Sequence, residues 1–235
     1  LGVVTALGTV LLPRASYYVE HQKTEKFLEI TRKAIRFVFI IAVPLMLYFI
    51  LFAKESVLFL SGEAYAQAIL PMQIIMPTLV LIGLTNIMGI QMLVPMGQEK
   101  KVLDSEIAGA VMDLILNMIL IPRVASPGAA IGTLAAEIIV WILQFAALKK
   151  LVMPAYREVS YGKISVGVLA AMPASLWVKK LHLGSFMTLL LSAVLFFGVY
   201  GGVLTILKES FVWEMEQQFF ERQAFYSGIK RKGDD

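Results

Sequence analysis

Residues 102–148 constrain the fold more than any other stretch of the chain. They read as two long apolar segments, VLDSEIAGAVMDLILNMILI and GAAIGTLAAEIIVWILQFAAL, joined by the breaker-rich run Pro122-Arg123-Val124-Ala125-Ser126-Pro127. At 1.5 Å per residue each segment is about long enough to cross ~30 Å of hydrocarbon. Each also carries one carboxylate near its middle, Asp113 and Glu137. An ionisable group at that depth is costly unless it faces a partner or a water-filled cavity, which makes an acid there a functional-site hypothesis. Helical spacing sharpens the pattern. Glu106, Gly109, Asp113 and Asn117 share one face of the first segment, and Thr133, Glu137, Trp141 and Gln144 share one face of the second. Gly128 and Gly132 form a small-xxx-small pair suited to close helix approach. Two membrane helices with polar stripes imply an interior path rather than an anchor.

The rest of the chain has the same character. Of its 235 residues 58% are hydrophobic and 16% charged, against about 45–50% and about 25% for a soluble domain. The expectation is an all-α integral membrane helical bundle. A partial helix is read over 1–18, because the twelve residues before Pro13 are too short to span. Further spans are read at 37–53, 68–94, 102–121, 128–148, 164–178 and 183–207. Residues 1–208 thus form one membrane domain, expected to continue a longer protein whose earlier part precedes Leu1. The polar loops are expected at 14–36, with a short amphipathic helix, and at 54–67, 95–101 and 149–163. The tail at 209–235 spaces Phe211, Met215 and Phe219 four apart, as an interfacial helix or one packed on the membrane domain, and frays from Gly228 onward.

Charge placement gives an orientation. All of the 21 Lys and Arg except Lys54, Arg123, Lys179 and Lys180 fall on the side of the 14–36 loop and the tail. By the positive-inside rule that side is cytoplasmic, so the expectation is a multi-pass protein of the cell (cytoplasmic) membrane with its tail in the cytoplasm. The same placement accounts for the net charge of +4 without a nucleic-acid partner.

Enzyme signatures are not found. There is no GxxxxGK[ST] phosphate loop, and Gly162-Lys163-Ile164-Ser165 matches only the end of one. His21 and His182 lie in opposite loops without HExxH, and there is no cysteine. The chain is therefore expected to be neither an enzyme nor a resident metal or cofactor protein.

Seven residues are candidates for function. Asp113 and Glu137 are read as lining a cavity and coupling H+ or Na+ movement to transport, or else as interhelical hydrogen-bond glue. Asn86, Gln91, Asn117 and Gln144 are polar groups within spans, either further cavity lining or interhelical bonds. Arg14, after Pro13 at a helix end, is either a bidentate phosphate contact or a snorkelling anchor. Pro44, Pro71 and Pro77 are hinges or tolerated kinks.

In order and spacing over about residues 1–150, the chain resembles bacterial lipid-linked oligosaccharide (O-antigen and capsule type) flippases. These form the polysaccharide biosynthesis family of the multidrug/oligosaccharidyl-lipid/polysaccharide exporter superfamily. The matching residues are Ala6-Leu7-Gly8-Thr9-Val10-Leu11-Leu12-Pro13-Arg14, Asn117-Met118-Ile119-Leu120-Ile121-Pro122, Gly128-Ala129-Ala130-Ile131-Gly132-Thr133 and Glu137. The resemblance implies the carboxyl-terminal lobe of a two-lobe alternating-access transporter, partnered by an amino-terminal lobe of the same protein and by membrane lipids. It implies flipping of an undecaprenyl-pyrophosphate-linked oligosaccharide, a precursor of lipopolysaccharide, capsule or exopolysaccharide. The rival readings are a multidrug/cation antiporter of the same superfamily, a membrane-embedded polymerase or acyltransferase, and a structural partner subunit.

Overall fold

The structure is a computed structural model, which describes residues 12–209, 212 and 213. The expected partial helix before residue 12 and the expected amphipathic tail beyond residue 213 lie outside the described residues. Among the described residues all regular structure is helical, as it must be where hydrocarbon offers no partner for backbone N–H and C=O groups. Five helices are long and apolar enough to span a membrane, and a bent pair makes a sixth.

After a helical stretch at 12–20 comes α1 (Thr24–Leu51), which carries Pro44 without a break. Its 28 residues rise about 42 Å. The helix therefore begins well before the span expected at 37–53, and carries Lys26, Arg32, Lys33 and Arg36 in its first half, where a loop with a short amphipathic helix was expected. The expected loop at 54–67 is likewise mostly helical: α2 (Ala53–Ser61) is followed by a 3-10 segment at Glu63–Ala68. Next come α3 (Ile69–Ile75), α4 (Thr78–Thr85) and a π-helical segment, Asn86–Leu93. The chain bends by 45° between Glu63–Ile75 and Thr78–Leu93. Pro77 stands at that break and caps α4, since proline cannot donate the backbone bond that would carry the helix through.

The two apolar segments within 102–148 form an antiparallel hairpin of α5 (Glu99–Val124) and α6 (Ser126–Glu158). The sequence placed a turn at 122–127 and a loop at 149–163. Instead α5 runs through Pro122, and α6 continues past its apolar section to Glu158. Proline in a last turn breaks few bonds, and polar residues stay helical once outside the hydrocarbon. The reversal rests on Ala125 alone (φ 55°, ψ −132°). Glycine sets the closeness of the hairpin. A Cβ on Gly128 would stand 2.7 Å from the Leu120 backbone, and one on Gly109 would stand 3.2 Å from the Ala136 carbonyl oxygen.

A second hairpin, α7 (Tyr161–Leu176) and α8 (Ser185–Ile206), is joined by the 3-10 turn Trp177–Leu181. Two buried tyrosines tie α8 to α1. Tyr48 Oη donates to Leu189 O at 2.8 Å and pairs with Ser192 Oγ at 3.0 Å, while Tyr200 Oη donates to Ile40 O at 2.8 Å. Lys179 lies on the lysine-poor side and donates to Leu51 O at 2.8 Å, over the C-terminus of α1, and pairs with Glu55 at 3.0 Å. A cation there complements the helix dipole, which gives this exception to the charge bias a structural role. At the other end Glu209, 1% exposed, accepts from Ser160 and the Val212 amide, with Arg36 3.9 Å away.

Candidate transport path

The polar stripes of α5 and α6 meet their neighbours in two places. At the first, Asp113 and Asn117, four residues apart on α5, turn toward Gly132 of α6. A Cβ at position 132 would stand 3.0 Å from Asp113 Oδ1 and 2.5 Å from Asn117 Oδ1. Both oxygens are buried and without a hydrogen-bond partner among the described residues. Glycine at 132 makes room for this notch, whose two acceptors are complementary to a proton or a small cation.

At the second place, α4, the π-helical segment, α5 and α6 form an open pocket of about 230 Å³, lined by Asn86, Gly89, Glu106, Glu137 and Gln144 among others. The π-helix explains part of the geometry. Its i→i+5 spacing brings Gln91 beside Asn86, so that Gln91 Nε2 donates to Asn86 Oδ1 at 3.1 Å. Gln91 is 4% exposed and does not line the cavity; it holds Asn86, which does. Gln144 is 1% exposed. Its Nε2 donates to Ser105 Oγ at 3.1 Å, and its Oε1 has no hydrogen-bond partner among the described residues.

The structure thus gathers Asn86, Glu137 and Gln144 at one cavity, with Gln91 behind it, and sets Asp113 and Asn117 at the Gly132 notch. Arg14 belongs to neither: it is exposed on the 12–20 helical stretch. Glu106 is a residue that the sequence reading placed on the polar stripe without making it a candidate, yet it lines the cavity opposite α6. Its seven-residue separation from Asp113 was the available signal. Trp141, also on the α6 stripe, donates to Tyr156 Oη at 3.1 Å and stacks on Phe145, so it serves packing.

The exposed side of α5 is apolar. Leu103, Ile107, Val111, Leu114, Met118 and Ile121 are all exposed, which is stable only against acyl chains or another apolar helix. Multiple apolar helices with a polar seam between them make this a multi-pass membrane protein.

Comparison with known proteins agrees with that architecture. The chain is 26% identical over 196 residues to "Uncharacterized membrane protein MJ1068" of Methanocaldococcus jannaschii, an alignment covering 83% of this chain and 38% of the relative. The chain therefore spans well under half the length of that protein. No solved structure matches it. The family model described as "Lipid II flippase MurJ" matches residues 3–200, and the chain belongs to that family of lipid-linked precursor flippases.

Proposed function

We propose that this chain forms one lobe of an alternating-access flippase that carries a polyprenyl-pyrophosphate-linked saccharide across the cytoplasmic membrane. A second helical lobe supplies the facing wall. The observation that carries the reading is the polar seam of the α5–α6 hairpin, Asp113 and Asn117 at Gly132 and Glu106 and Glu137 at the cavity, inside spans that are otherwise apolar, in a chain of a flippase family. The polar head of the substrate crosses in the wet path between the lobes while its polyprenyl tail stays in the bilayer. Asp113 and Glu137 bind the coupling ion, H+ or Na+. Arg14, exposed beside the basic interface, meets the pyrophosphate or anchors the helix end. The tail faces the cytoplasm, on the side richer in Lys and Arg.

The substrate that the first resemblance implies is an oligosaccharide precursor of a cell-surface polysaccharide, and the family description names lipid II. The shared chemistry is a saccharide on a polyprenyl pyrophosphate. A cation antiporter is the second reading, favoured by one observation: the cavity lining includes two glutamates and no Lys or Arg.

The test is reconstitution of the full-length protein in vesicles with a fluorescent polyprenyl-pyrophosphate saccharide, scored by protection from an external quencher. Protein-dependent translocation of the lipid supports the flippase reading. Translocation of organic cations but not of the lipid would replace it with antiport. Arg14→Lys separates the two roles of that residue, since an anchor tolerates lysine and a bidentate clamp does not.

A further inference from the structure

We infer that the open pocket between the start of α1 and the later part of α6 is a docking surface for the chain's own tail, with Met215 and Phe219 as its anchors. The inference concerns a surface remote from the polar seam and stands whether or not the whole protein moves a lipid.

The pocket holds about 480 Å³, and Val19, Phe27, Leu28, Met96 and Leu151 give it an apolar lining. These residues come from the 12–20 stretch, α1, the loop after the π-helical segment, and α6. Exposed Lys26 adjoins Phe27, and exposed Lys149 and Lys150 adjoin Leu151. The apolar run of α1 begins only at Phe37, so the pocket sits at the wet end of the lobe rather than among acyl chains. A contiguous apolar lining in that place marks a surface that another segment covers. Around it Lys23, Lys26, Lys149 and Lys150 outnumber Glu20 and Glu25, while Glu29 is paired with Lys33 at 3.1 Å. The pocket therefore suits an apolar segment that carries acidic residues.

The tail is such a segment, and it starts in the right place with the right reach. Glu209, buried, accepts from the Ser160 hydroxyl and the Val212 amide and lies 3.9 Å from Arg36. Residues 212 and 213 are helical, Trp213 N donates to Glu209 O at 2.8 Å, and Val212 packs on the core. These contacts set the start of the tail against α1 at Arg36. From Arg36 back to Leu28 of the pocket is eight residues of α1, about 12 Å. A helix continued from Val212 to Phe219 advances about 10 Å, and the phenyl ring spans the remainder. The same helix turns Val212, Met215 and Phe219 to one face, extending the face that Val212 already buries. Glu216 flanks that face with the charge that the surrounding lysines complement.

The experiment is photo-cross-linking in native membranes. The photoreactive residue p-benzoylphenylalanine replaces Phe219 in the full-length protein, and its adducts are mapped by mass spectrometry. The expected result is an adduct within one polypeptide to Phe27, Leu28, Met96 or Leu151. Adducts to lipid alone, to the part of the protein before Leu1 or to a second copy, or no adduct at all, would overturn the proposal. A second measurement reads the pocket itself. Met96→Cys, in a full-length protein otherwise free of cysteine and held in nanodiscs, is labelled with a water-soluble maleimide. Combining it with Met215→Ser and Phe219→Ser should raise the labelling rate at least about fivefold. In the same background Val38→Cys, at a position 0% exposed, should stay unlabelled. An unchanged rate at 96, or an equal rise at 38, would sink the inference.

Discussion

Gln144 of α6 lies flat against Gly89 of the π-helical segment, so close that a Cβ at position 89 would stand 3.1 Å from both heteroatoms of its amide. The glutamine has nowhere to retreat. Its Nε2 is held by Ser105 Oγ, which is itself bonded to Val102 O at 2.7 Å. The bare backbone at 89 therefore lets a buried polar side chain cross from one helix to the wall of another.

Gly89→Ala is expected to lower stability by about 1–2 kcal/mol, as overpacking against a pinned neighbour does. Pairing it with Gln144→Ala should recover part of the loss, with a coupling of at least about 0.5 kcal/mol in a double-mutant cycle. Chemical denaturation in mixed micelles measures both.

Glycines elsewhere divide by what surrounds them. A methyl at 128 meets the Leu120 backbone at 2.7 Å, whereas one at 201 meets nothing within 4 Å. Gly128→Ala should force the α5–α6 hairpin apart and cost about 1–3 kcal/mol. Gly201→Ala, on α8, should be neutral or gain about 0.5–1 kcal/mol from helix propensity. A difference in Tm of the same sign and several degrees between the two variants is the measurement.

Fold class was legible in the sequence, because apolar runs of spanning length with sparse charge leave helices as the simplest way to satisfy the backbone. Boundaries were less so. The proline at 122 and the lysines at 149 and 150 look like breakers, yet α5 and α6 pass through them, since a helix outside the hydrocarbon loses nothing by being polar. The polar residues of the seam could be picked out by helical spacing, but their partners could not. Nothing in Asn86-Ile87-Met88-Gly89-Ile90-Gln91 announces a π-helix, and without it neither the Asn86–Gln91 bond nor the seat of Gln144 on Gly89 can be foreseen. Helical spacing puts Glu106 on the polar face of α5, but its place beside Glu137 at the pocket depends on how α5 and α6 pack. Arg14, singled out for its place after a proline, is exposed away from both polar sites.

The turn of the hairpin offers a check from the opposite direction. Ala125 holds a positive φ of 55°, a region costly for a residue with a Cβ. Ala125→Gly should relieve that strain and raise stability by about 1 kcal/mol, visible as a higher Tm without change in helix content. A decrease would mean that the turn conformation differs in the bilayer.

The most direct test of the central claim, that the acids of α5 and α6 face a wet path, uses the absence of cysteine from the chain. Asp113→Cys, Glu137→Cys and Met118→Cys are made singly and exposed in sealed vesicles to a membrane-impermeant thiol reagent. Met118 is 71% exposed on the apolar side of α5 and serves as the apolar-face control. The account predicts labelling at 113 and 137 at least about tenfold faster than at 118, because the reagent reacts with the thiolate, which forms only where water reaches. Equal, slow labelling at all three positions would contradict it.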